Sequence, residues 1–211
     1  MTSKKTGKAA APALKTEGFV LSRVAAGESH MRLALLSAKN GRLMCLQRLS
    51  KKTPGDNAQL FDLAQCVLEG PKESGFYFVK EYHAARRHEG IGKSYAALTC
   101  ASVLAEILER NSRDAPEARA FFKLAHTAFE AWDSAPHPHA AFLKILALLA
   151  DHEGYPLREQ FLQGLNDEQR AQALKVLREP LAEQSVPDKE AQLLVEKLKH
   201  WLKTDTDIWM P

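Results

Sequence analysis

The residues best placed to do chemistry in this chain are cations. Arg32, Lys39, Arg42, Arg48, Lys51 and Lys52 fall on what reads as one β-hairpin and the loop after it, a spacing that lets side chains follow phosphates along a groove. A second group, Lys80, Arg86, Arg87, His88 and Lys93, falls where a strand-rich segment gives way to a helical one. Phe19, Phe76, Tyr77, Phe78 and Tyr82 are interleaved with them and offer faces on which bases could stack, although a small barrel also needs aromatic filling. The competing reading of the cations is an ordinary solvated face.

Other chemistries have thinner support. Gly90-Ile91-Gly92-Lys93-Ser94 resembles half of a phosphate-binding loop, but the leading glycine of the full motif is Arg87 here. No parallel strands follow to carry a second magnesium-binding acid. The alternative is a flexible link with Ser94 as a helix N-cap, from which Lys93 could still meet a phosphate. His137-Pro138-His139 near Asp133, and Asp151-His152-Glu153, lack the cysteine partners of a structural zinc site and read as helix-connecting loops. Cys45, Cys66 and Cys100 lie in apolar segments with no base nearby. No catalytic residue, metal or cofactor is expected. The ending Asp205-Thr206-Asp207-Ile208-Trp209-Met210-Pro211 has acids before an apolar tip; it resembles the tails by which single-stranded-DNA-binding proteins recruit repair factors, but the favoured reading is a helix-terminating segment packed on its own domain.

Charge is distributed unevenly over the elements that must hold these residues. The 211 residues carry a formal net charge of only +3. Up to Lys93 there are 16 basic and 8 acidic residues; beyond it, 13 and 18. Such asymmetry points to a polyanionic partner for the first part. Three widely spaced cysteines make no disulfide framework and fit a reducing cytoplasm. Ala140 to Ala150 is well short of the ~20 apolar residues that span a bilayer, so no membrane segment is expected. Residues 1–14 read as a flexible basic tail rather than a secretory leader.

Five strand-sized segments follow: Thr16 to Val24, Met31 to Ala38, Arg42 to Leu49, Leu60 to Leu68 and Phe76 to His83. Met31, Leu33 and Leu35 alternate with Arg32 and Ala34, and Leu43, Cys45 and Leu49 oppose Arg42 and Arg48, which puts the arginines on an outer face. Asn40-Gly41 predicts a two-residue type I′ turn between these strands; Pro54-Gly55-Asp56-Asn57 and Gly70-Pro71 mark others. From Ser94 the period becomes helical. Stripes run through Leu98, Ala101, Leu104, Ala105 and Leu108, through Phe121, Leu124, Ala125, Ala128 and Trp132, and through Phe142, Ile145, Leu146 and Leu149. Asn166 caps a fourth helix and Asp188 opens a fifth, with breaks at Pro116, Pro136-His137-Pro138, Pro156 and Pro187. The expected fold is α+β: a basic tail over 1–14, a five-stranded barrel of the oligonucleotide-binding (OB) type over 15–83, a linker over 84–93 and an all-helical domain over 94–211.

In order and spacing, these features resemble the RecO family of bacterial recombination mediators. Lys15-Thr16-Glu17-Gly18-Phe19-Val20-Leu21 looks like that family's first strand, with Gly27-Glu28-Ser29 and the strand from Met31 to Ser37 after it. Gly41-Arg42-Leu43 and the basic run to Lys52 look like its next hairpin, although its usual glycine is replaced within Gln47-Arg48-Leu49-Ser50. Ser94-Tyr95-Ala96-Ala97-Leu98 to Leu108 is similar to its first long helix. Phe142 to Leu149, leading to Gly154-Tyr155-Pro156, is similar to its central helix and turn. Many members carry a four-cysteine zinc module where this chain has only Cys100, so no metal is carried over.

The resemblance implies an OB barrel with a helical domain, binding of single- and double-stranded DNA, annealing of complementary strands, and loading of recombinase onto DNA coated with single-stranded-DNA-binding protein. Its implied partners are RecR and the C-terminal tail of that binding protein. It also implies a non-enzymatic, cytoplasmic bacterial protein, monomeric and joining the nucleoid during repair. The DNA-binding residues expected are Arg32, Lys39, Arg42, Arg48, Lys51, Lys52, Lys80, Tyr82, Arg86, Arg87 and Lys93. The alternative is an interaction scaffold whose barrel binds no DNA.

Overall fold

The computed structural model describes residues 13–50, 52–70, 75–113, 118–134 and 136–211. Most of the basic tail, Lys51, Pro71 and Pro116 lie outside them. Strands β1 (Leu14–Ala25), β2 (His30–Ser37), β3 (Gly41–Arg48), β4 (Leu63–Glu69) and β5 (Tyr77–Arg86) are followed by helices α1 (Tyr95–Asn111), α2 (Ala118–Ser134), α3 (Pro138–His152), α4 (Asp167–Arg178) and α5 (Asp188–Asp205). No helix among the described residues is long and apolar enough to cross a membrane.

The strands close into a barrel in the order β1-β2-β3-β5-β4, antiparallel except where β3 meets β5 in parallel. That Greek-key order is the OB-type arrangement. Alternate residues fill its interior: Val20, Leu33, Leu35, Leu43, Cys45, Ala64, Cys66 and Leu68 form one cluster. β5 runs to Arg86, three residues beyond the segment read from the sequence.

The β2–β3 connection differs from the expected two-residue turn. Ser37 pairs with Gly41 across a three-residue loop, and only Gly41, at φ 67°, has a positive φ there. A type I′ turn needs two such residues. Ser37 Oγ accepts the N–H groups of Lys39 and Asn40 and so holds the loop in place of the tighter turn.

The helices pack directly on the barrel. α1 runs against β1, while α2 reaches β1, β2 and β3. Register between β1 and β2 shifts at a bulge between Val20 and Ser22, and up to that point alternation puts Phe19 and Leu21 on the outer face with Val20 inside. Phe19, Leu21 and Leu36 therefore belong to the helical core, not to the barrel interior. β1 is buried on both faces through this stretch.

Residues 87–93 form a packed joint in place of the flexible link expected. The His88 side chain is 1% exposed; its Nδ1 donates to the Phe61 carbonyl at 2.8 Å and its Nε2 lies 3.3 Å from the Glu130 carboxylate. Phe61 is the one described non-glycine residue with a positive φ, 68°. That conformation, which costs about 1–2 kcal/mol, aims its ring at Phe129, 5.1 Å away. Ile91 is wholly buried in the helical core. Ser94 then caps α1 by accepting the Ala97 N–H, and Asn166 caps α4 by accepting that of Gln169.

The apolar stripes bury as expected with one exception: Leu98 is 38% exposed, and Ala97 and Cys100 take its place. Asp188 accepts both the main-chain N–H and the ring Nδ1 of His139, pinning the start of α3 to that of α5.

Candidate nucleic-acid interface

Register places the basic side chains along the outer wall of β2 and β3. His30 pairs with Arg48, Arg32 with Leu46, and Leu36 with Arg42. At about 3.3 Å per residue, Arg42 and Arg48 are about 20 Å apart along β3. Helices cover the Arg42 end, while Arg32 and Arg48 are exposed. The outer arginine face read from alternation is thus half wall, half surface.

The eleven expected residues separate by what they touch. Arg42 donates to Glu109 of α1 at 3.2 Å, with side chains 14% and 21% exposed. Arg86 joins both Glu130 and Asp133 of α2, at 2.9 and 3.1 Å. Arg87 pairs with the buried carboxylate of Asp62 at 3.5 Å and donates to the Gly55 carbonyl. Lys80 pairs with Glu69 at 3.4 Å. The Tyr82 hydroxyl donates to Asp62 at 2.6 Å, and burial with that bond pushes its pKa far up. These five residues brace the barrel or its joint with the helices. Arg32, Lys39, Arg48, Lys52 and Lys93 are exposed and form no ion pair among the described residues. Lys51 lies outside the described residues.

The hairpin cluster is also split between its two ends. Lys39, in the β2–β3 loop, borders a cavity of about 700 Å³ with Lys15, Glu17, Glu81 and His83. Arg32 instead borders a separate cleft of about 480 Å³ between the barrel and α1. Four arginines, Arg32, Arg42, Arg110 and Arg113, line that cleft against Glu106 and Glu109, above an apolar floor that includes Leu21 and Met44. Arg42 Nε is buried there without a hydrogen-bond partner. Sequence reasoning missed Arg110 and Arg113 because they belong to the acidic half of the chain. Their signal was local: two arginines in and just after the last turn of the helix that begins at the joint.

Among the aromatic candidates, Phe19 has no exposed surface and packs between Phe122 and Phe129, at 5.0 and 5.4 Å. Tyr77 and Tyr82 lie against the barrel core. Phe76 and Phe78 are half-buried.

The glycine-rich segment does not present its backbone to a phosphate. The N–H groups of Gly90, Ile91, Lys93 and Ser94 donate to the Asp133 carboxylate and to the carbonyls of His88, Gly90 and Ile91 respectively. Burial pushes the thiols of Cys45, Cys66 and Cys100 up to about 12, so they stay protonated near neutrality and are poor nucleophiles. His137, His139 and Asp133 form no metal-ligating group; none of three or more His, Cys, Asp or Glu occurs among the described residues. The acidic ending folds back onto the helices, with Ile208 and Met210 each 5% exposed. No protein-family model matches the chain, and no curated protein matches it.

Proposed function

We propose that this chain is a DNA-binding mediator of repair and recombination of the RecO kind. It would bind single and double strands, neutralise their phosphates so that complementary strands anneal, and help load recombinase onto DNA coated with single-stranded-DNA-binding protein. RecR and the tail of that binding protein are the partners proposed. The observation that carries the reading is the exposure of Arg32, Arg48 and Lys52, unpaired, at the open end of the β2–β3 wall. In OB-type barrels that wall and its adjoining loops are where oligonucleotides bind. The chemistry asked of the site is charge neutralisation and positioning, for which no nucleophile or metal is needed.

The test is strand annealing with and without the single-stranded-DNA-binding protein, preceded by titration of labelled oligonucleotides at several salt concentrations. Neutralising six or so phosphates makes affinity fall by ~10³ or more between 50 and 200 mM salt. A protein-interaction scaffold would bind no DNA at moderate salt, and that outcome would sink the proposal.

A further inference from the structure

Trp209 is held at the surface by the fold. Between Ile208 and Met210, both 5% exposed, it keeps 36% of its area in solvent. Its position is fixed from α1. The Trp209 N–H donates to Asn111 Oδ1 at 2.8 Å, and Asn111 Nδ2 donates back to the Trp209 carbonyl at 3.0 Å. The guanidinium carbon of Arg110 stands 5.2 Å from the indole centroid. Arg110 is at the same time a wall of the arginine-lined cleft. One residue thus joins a fixed, exposed aromatic ring to a cleft lined by four arginines.

We propose that Trp209 is a base-stacking platform, and that the cleft bordered by Arg32, Arg42, Arg110 and Arg113 takes the neighbouring phosphate. Together they form a subsite selective for single-stranded nucleic acid. The selectivity follows from the chemistry: in a duplex each base face is already stacked on its neighbours, whereas an unpaired base has a face to give. Stacking on an indole requires no particular base, so the subsite reads strandedness and not sequence. Four arginines against Glu106 and Glu109 leave the cleft with an excess of positive charge, which fits a phosphate. This inference rests on the nucleic-acid reading above and names where that surface continues onto the helical half.

The experiment compares a short oligo-dT with a duplex of equal phosphate number, by fluorescence anisotropy on the full chain. Trp209→Ala weakens the single strand by about tenfold or more and the duplex by less than twofold, while Trp209→Phe keeps most of the affinity. Arg110→Gln and Arg113→Gln each lower the salt slope for the single strand by about one. Photocrosslinking of a 5-iodouracil oligonucleotide to the wild-type chain, which asks nothing of a variant's folding, attaches at Trp209. Equal losses on both substrates, unchanged binding by Trp209→Ala, or crosslinks confined to barrel peptides overturn the inference while leaving DNA binding in place. Absence of wild-type binding to either substrate overturns both readings.

Discussion

Gly90 and Asp133 fit together as a joint. The Gly90 N–H donates to the Asp133 carboxylate at 2.6 Å, and a Cβ added to Gly90 would overlap the Asp133 main-chain carbonyl. The same aspartate receives Arg86, so strand β5, the connection and α2 meet at one carboxylate. Gly90→Ala forces the connection away from α2 and costs about 2 kcal/mol, in the range of overpacking changes. Urea denaturation measures it; an unchanged midpoint would show that the joint yields freely.

Paired and unpaired cations should behave differently. Replacing Arg48 and Lys52 together by glutamine lowers the slope of log affinity against log salt by about two and leaves stability unchanged within ~0.5 kcal/mol. Arg86→Gln, whose partners are Glu130 and Asp133, lowers stability by up to about 1 kcal/mol and changes the salt slope little. Equal slopes for all variants would remove the β2–β3 wall from the interface.

Tyr82→Phe separates bracing from stacking. The ring that could stack on a base is retained, while the hydroxyl that donates to buried Asp62 is lost. Stability falls by about 1–3 kcal/mol because the carboxylate loses a donor; DNA affinity stays within twofold. A drop in affinity with no change in melting temperature would reverse the assignment.

Alkaline pH should destabilise the fold through its thiols. Cys45, Cys66 and Cys100 stay protonated in the folded chain up to about 12, whereas in the unfolded chain they lose the proton from 9.0 upward. Between those limits the unfolded state binds fewer protons, so stability falls with rising pH, by about 1.4 kcal/mol per unit for each thiol. Lys144 acts in the opposite sense, because burial lowers its pKa from 10.5 and its charged form is favoured on unfolding. Urea titrations between pH 8 and 10.5 measure the net fall, and Cys66→Ala removes one thiol's share of it. An unchanged pH slope in that variant contradicts the assignment.

Periodicity shows from the sequence that strands end and helices begin near Ser94, because a change from period 2 to 3.6 is a local property. The pairing of Arg42 with Glu109, 67 residues away, is not local, and counts of charge cannot distinguish a cation that faces water from one that faces a helix. The burial of β1 was partly legible. Phe19-Val20-Leu21 is apolar without alternation, the pattern of a strand covered on both sides, yet nothing in it names the covering helices. The β2–β3 loop was read one residue short because Ser37 supplies by side chain what Asn40 was expected to supply by backbone. The cleft draws on residues from β1, β2, β3 and α1, a meeting that only the packed fold brings about.

With Phe19, Leu21 and Leu36 seated among the helices, the barrel has no complete outer skin of its own. Cut after the joint, it would offer those three side chains to water as a sticky patch. The two halves therefore share one buried core. The cleft is an edge where a barrel wall and a helix of that shared core meet.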